Sequence, residues 1–180
     1  MKVIIISLPR TGSTTLLYSL GRLLNLKTYN EPFEKKYQGE SYDFSQSHIV
    51  KTMINDFINN RGILEPSNFD KVIILARKDL KAQLESFTFA LKNDKWHENY
   101  NVNDIKIAKE HYYNFNAMRL NIEKLSKEIN IPITWYEDLY LKTDKVKEEI
   151  LETWGIELDK EKFKDDINIS GKYRKFETTL

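Results

Sequence analysis

The chain has 180 residues, 28 of them Lys or Arg against 27 Asp or Glu, for a formal net charge of +1, and it has no cysteine. That length fits one domain, residues 1–180, burying roughly 70% of its unfolded surface. Near-neutral charge excludes bulk attraction to nucleic acid or anionic lipid, and the missing cysteines exclude disulfides, thiolate catalysis and Cys-based zinc sites. Neither nucleic acid nor a membrane is expected as a partner. No stretch reaches membrane-spanning length, and Ser7-Leu8-Pro9-Arg10 cuts the apolar start short of a signal peptide, so a soluble cytoplasmic protein is expected.

Val3-Ile4-Ile5-Ile6 has the β-branched run of a buried parallel strand. Ser7-Leu8-Pro9-Arg10-Thr11-Gly12-Ser13-Thr14-Thr15 follows, and from near Thr14 the leucines 16, 17, 20, 23 and 24 recur at helical spacing. In this strand-turn-helix unit Gly12 allows close backbone approach. The first-turn amides face whatever lies above the strand, and Thr11, Ser13, Thr14, Thr15 and Arg10 add hydroxyls and a cation. The unit reads as a phosphate cradle. It departs from the ATP-binding pattern G-x-x-x-x-G-K-[ST], because Ser7 stands at the first Gly and Ser13 at the Lys; Gly12 and Thr14 match.

Lys27-Thr28-Tyr29 is expected as a second strand, with Glu31 at its C-terminal end and held extended by Pro32. The polar stretch from Tyr37 to Gln46 reads as a loop placed to cover a substrate. His48 to Met53 forms a third strand, and Ile54, Phe57 and Ile58 mark a short helix ending near Gly62. Val72 to Ala76, the turn Arg77-Lys78-Asp79, and Leu80, Leu84, Phe87 and Leu91 repeat the strand-turn-helix order, with Ser86 on a separate face of the helix.

From Lys92 to Asn101 a polar connection carries Trp96, His97 and Tyr100, which either border a pocket or pack locally. Asp104 is expected to cap a long helix whose apolar face runs from Ile105 through Ala108, Tyr112, Phe115 and Met118 to Ile129. Ile133 to Tyr136 is the next expected strand, followed by Glu137-Asp138-Leu139. Val146, Ile150 and Trp154 trace another helix stopped by Gly155, and the charged stretch Lys160 to Asp166 reads as a solvated helix. The tail, Ile169 to Phe176, combines a Gly, three cations and two aromatics.

Taken together, Pro9-Arg10-Thr11-Gly12-Ser13-Thr14, Glu31-Pro32-Phe33, the Lys51-Thr52 strand, the Arg77/Lys78 and Ser86 pair, Tyr136-Glu137-Asp138-Leu139 and the basic tail resemble the sulfotransferases that use 3′-phosphoadenosine 5′-phosphosulfate (PAPS), in pattern nearest the bacterial and carbohydrate-type members. The resemblance implies a P-loop-like α/β fold of three layers, a mostly parallel sheet of about five strands flanked by helices. It implies PAPS as donor, 3′-phosphoadenosine 5′-phosphate (PAP) as product, a hydroxyl-bearing acceptor that is a carbohydrate or small molecule, and no metal. Arg10, Thr11, Gly12, Ser13, Thr14 and Thr15 would hold the 5′-phosphosulfate; Arg77 or Lys78, with Ser86, the 3′-phosphate; and Ser170, Gly171, Lys172 and Arg174 would close over the nucleotide. Glu31 would be the general base, with Glu34 and His48 as the alternatives, and Lys51 would neutralise the sulfonate. Met53 stands where cytosolic members carry a catalytic His, which moves the expected base to Glu31. The competing functional classes are a P-loop kinase of a nucleotide or small molecule and a nucleotide-binding module without turnover.

Overall fold

A run of four aliphatic residues with no polar alternation can satisfy its backbone only inside a sheet covered on both faces, and that is where Val3 to Ile6 lie, all fully buried. The structure, a computed structural model, describes residues 1–34, 42–93 and 107–172, with side chains described as far as 168. Its five strands are β1 (Lys2–Ser7), β2 (Lys27–Asn30), β3 (His48–Met53), β4 (Lys71–Ala76) and β5 (Ile133–Trp135). They form one sheet in the order β2-β3-β1-β4-β5, with every pairing parallel.

The helices are α1 (Ser13–Leu24), α2 (Ile54–Asn59), α3 (Leu80–Asn93), α4 (Lys109–Ile129), α5 (Tyr136–Leu141), α6 (Asp144–Trp154) and α7 (Lys160–Lys172). Strand periodicity divides the core in two. Val3, Ile5, Ile49, Ile73 and Leu75 face α1, α5, α6 and α7, whereas Ile4, Ile6, Val50, Ile74 and Ala76 face α2 and α4. The three-layer α/β expectation is met. The central strand β1 has β3 on one side and β4 on the other, so the chain reverses its direction of travel across the sheet there, and the crevice above the C-terminal ends is the expected ligand position.

Four local expectations change. Tyr136 is not the end of β5 but the first residue of α5, which places Glu137 and Asp138 in a first helical turn. The long helix α4 starts at Lys109, with Ala108 extended as its N-cap; the expected cap Asp104 and Ile105 lie outside the described residues, as do Trp96, His97 and Tyr100. The charged stretch at Lys160 is not merely solvated, since Phe163 and Ile167, four residues apart, are fully buried against α1 and α5 to α6. Glu31 is not extended: its φ is 51°, in the left-handed region. Its N–H donates to the Lys51 carbonyl at 2.8 Å, continuing the β2–β3 ladder one residue beyond the strand, so the extended conformation that Pro32 favours locally is not the one adopted.

Candidate functional site

The cradle is built at the end of β1. Arg10 and Gly12 both have positive φ, 60° and 76°, so the chain doubles back on either side of Thr11 before α1 begins. Gly12 is the N-cap and has no side chain, so no side chain caps the helix from that position. Its carbonyl accepts the first helical bond from Leu16 N at 3.0 Å, leaving the amides of residues 13 to 15 without an acceptor inside the helix. Those amides and the helix dipole favour an anion. Thr11 contributes less than expected, because its hydroxyl is fully buried and donates to the Leu8 carbonyl at 2.9 Å; only its backbone is available to a ligand.

The second strand-turn-helix unit meets the first at this point. Arg10 Nε donates to Ser86 Oγ at 2.7 Å, and Gln83 Nε2 donates to the Pro9 carbonyl at 2.6 Å. From the other layer, the Tyr140 hydroxyl donates to the Gly12 carbonyl at 2.9 Å. Arg77 is buried, with its guanidinium 4.5 Å from the centre of the Tyr136 ring and its Nε 3.8 Å from Glu137 Oε1. That Nε has no hydrogen-bond partner among the described residues.

Lys78 is placed differently. Its ammonium contacts both oxygens of Asp138 at 2.8 Å, and Glu137 accepts from the amides of Lys78 and Asp79 at 2.9 and 3.0 Å. The two acids therefore hold the turn after β4 from the first turn of α5. Of the two cations, the buried one with an unanswered donor is Arg77.

Beside the cradle, Glu31 forms an ion pair with Lys51, whose side chain is 1% exposed. A buried ammonium requires such a partner. Met53, opposite Ser7 in the β1–β3 register, has its sulfur 3.9 Å from Ser7 Oγ, so a residue that cannot carry a proton borders the cradle. Asp56, in the first turn of α2, was not among the residues marked from sequence. Burial first, and then the charge of Glu31, push its carboxyl above the usual range, with Lys51 acting in the opposite direction. Glu34 stays close, its N–H donating to the Glu31 carbonyl at 3.0 Å.

His48 does not belong here. It opens β3 opposite Lys2, at the N-terminal edge of the sheet, about 17 Å along the strand from Met53. There it packs among Tyr29, Phe44 and Phe69, with Nδ1 2.7 Å from the Gln46 carbonyl oxygen and Nε2 buried without a hydrogen-bond partner among the described residues. Strand polarity excludes it as a base for chemistry at the cradle.

The course of α7 follows from its contacts with α6. Lys160 bonds Glu152 at 2.6 Å, Lys164 bonds Glu148 at 2.7 Å and Asn168 bonds Asp144 at 3.0 Å. These contacts run α7 antiparallel to α6, so its C-terminal end, at Ser170, Gly171 and Lys172, rises toward the start of α6 and the α5 segment that touches the cradle. Nothing is described of those side chains, and Arg174 lies outside the described residues. Among the described residues no cluster of His, Cys, Asp and Glu could hold a metal ion, and no helix is long and apolar enough to cross a membrane.

No protein-family model matches the chain, and no curated protein does. Among solved structures it is similar to the mouse sulfotransferase SULT7A1 in complex with PAP, with 13% sequence identity and a TM-score of 0.60. The match covers 99% of this chain and 66% of that one, so the chain spans a little under two thirds of the neighbour's length. The chain has a sulfotransferase-like fold.

Proposed function

We propose that this protein is a PAPS-dependent sulfotransferase acting on a hydroxyl of a carbohydrate or small molecule. The observation that carries the reading is the junction of two anion-binding units. Arg10, from the cradle, and Ser86, from the helix after β4, are hydrogen-bonded to each other at the C-terminal edge of the sheet, with buried Arg77 after the same strand. A nucleotide with phosphates at both 5′ and 3′ positions needs two such units side by side. ATP needs only one, with a Lys that Ser13 replaces here.

In this reading the backbone amides of the loop from Arg10 to Thr15 hold the 5′-phosphate, and Arg77 with Ser86 holds the 3′-phosphate. The acceptor oxygen bonds to sulfur while the bond from sulfur to the phosphate oxygen breaks, and that electron pair stays on PAP. Arg10 and the α1 amides stabilise the charge that grows on the departing oxygen. Glu31 takes the acceptor proton, and Lys51 keeps the carboxylate in place and offsets the charge of the sulfonate.

The test is nucleotide selectivity followed by transfer. PAP should raise the melting temperature well above the shift given by ATP with Mg²⁺ or by adenosine 5′-phosphosulfate, since a ligand at a hundredfold excess over its Kd adds about 2.7 kcal/mol. Labelled sulfonate should then move from PAPS to a member of a hydroxyl-acceptor panel. Equal stabilisation by ATP and PAP would reject the two-phosphate site.

A further inference from the structure

A loop can bind an anion through its amides only if its carbonyls point elsewhere. In a planar trans peptide the C=O of one residue and the N–H of the next point in opposite directions, so whatever holds a carbonyl also aims the following amide. Two side chains from different layers do this to the cradle. Gln83 Nε2 holds the Pro9 carbonyl, which aims the Arg10 amide away from α3. The Tyr140 hydroxyl holds the Gly12 carbonyl, which aims the Ser13 amide away from α5.

We propose that Gln83 and Tyr140 are positioning residues of the cradle, holding its peptide planes so that the Arg10 and Ser13 amides converge on the ligand's 5′-phosphate. The inference rests on the sulfotransferase reading for the identity of that ligand. Arg10 has φ 60°, a left-handed conformation that is strained for a non-glycine residue and persists only where the surroundings impose it. The bond from Gln83 acts on the peptide unit immediately before it.

Burial separates positioning from packing. Gln83 is 0% exposed, Tyr140 is 2% exposed, and in the orientation that bonds Pro9 the Gln83 Oε1 is buried with no partner among the described residues. An aliphatic residue would fill the same space without a buried unanswered carbonyl, so the amide is retained for the bond that Nε2 makes. Tyr140 likewise reaches a carbonyl that already has its helical donor, Leu16 N. The third tether, from Thr11 to the Leu8 carbonyl, completes a loop held at Leu8, Pro9 and Gly12.

The experiment is calorimetric titration of PAP and of adenosine 3′-monophosphate, which lacks the 5′-phosphate, into the parent chain, Tyr140→Phe and Gln83→Met. Tyr140→Phe removes one oxygen, and Gln83→Met keeps side-chain length without the amide. Each variant should bind PAP about tenfold more weakly, the loss of roughly one well-formed hydrogen bond, and bind adenosine 3′-monophosphate like the parent. If one variant fails to fold, the other carries the test alone. Unchanged PAP affinity in a folded variant, or equal weakening of both nucleotides, would overturn the positioning role and leave the proposed function standing. A parent chain that binds PAP no better than adenosine 3′-monophosphate would remove both.

Discussion

Arg10 Nε and Ser86 Oγ lie 2.7 Å apart although 76 residues separate them in the chain. The contact joins the loop after β1 to α3 and, on the proposed function, sets the cation that answers the leaving group beside a side chain that binds the 3′-phosphate. Arg10→Ala should lower sulfonate transfer on the order of 10²-fold, more than it weakens PAP binding, because the charge it answers grows in the transition state. Ser86→Ala should mainly weaken PAP, by about tenfold. Transfer kinetics alongside calorimetric affinities separate the two effects.

Partly exposed Glu31 pairs with the buried Lys51 of β3, the strand beside β1. Glu31→Gln keeps the size of the side chain but cannot accept a proton, so PAP should bind as in the parent while transfer slows by about 10²-fold or more. Glu31→Ala removes the carboxylate paired with the buried Lys51 ammonium and should cost roughly 3 kcal/mol in urea unfolding. Adding Lys51→Met should recover most of that. Full transfer activity in Glu31→Gln would shift attention to Asp56, the partly buried carboxyl facing the same pair.

His48 gives the fold a pH dependence unrelated to the site. Burial holds its imidazole below the usual value of 6.5, with the Gln46 carbonyl opposing. Below 6.5 the unfolded chain binds a proton that the folded chain refuses, so stability is complete above that pH and falls as the pH drops toward the depressed folded value. Urea midpoints measured between pH 7.5 and 5 should decline in the parent and decline less in His48→Phe.

Gly21 lets α1 lie against β2. A Cβ placed there would meet Thr28 Cγ2 at 2.3 Å. Gly21→Ala should therefore destabilise the chain by about 1–3 kcal/mol despite its better helix propensity, and Thr28→Ala should relieve much of the loss. Thermal melts of the single and double variants check this.

The antiparallel course of α7 along α6 supplies a test of the tail. Ending the chain after Ile169 removes Ser170, Gly171, Lys172 and Arg174 while keeping the buried Phe163 and Ile167. PAP should bind about tenfold or more weakly, with little change in melting temperature. Unchanged affinity would assign those residues no part in the nucleotide site.

The fold class was legible because its strongest signals are local. Val3 to Ile6 and Val72 to Ala76 are apolar without alternation, and each is followed by a polar turn and a helical stripe; that pattern dictates parallel strands covered on both sides. The cradle was legible for the same reason, since Gly12 and its neighbours sit within one turn of one another. The helical start at Tyr136 and the buried face of α7 were not. Trp135-Tyr136 has strand propensity that the packing of α5 overrides, and only Phe163 and Ile167 mark an apolar side among many charges.

The order of strands and turns, and the residue types placed at their ends, followed from the sequence alone, because backbone hydrogen bonding and hydrophobic periodicity act over a few residues. Which of those residues meet was decided by the tertiary structure. Strand polarity removed His48 from the site by putting it at the opposite edge of the sheet. Glu31, left-handed at the end of β2, was paired with Lys51 of the neighbouring strand. Gln83 and Tyr140, unremarkable in the sequence, reached two carbonyls of the same loop from opposite layers. Contacts between elements more than fifty residues apart depend on how helices pack across a sheet, and no local pattern encodes that distance.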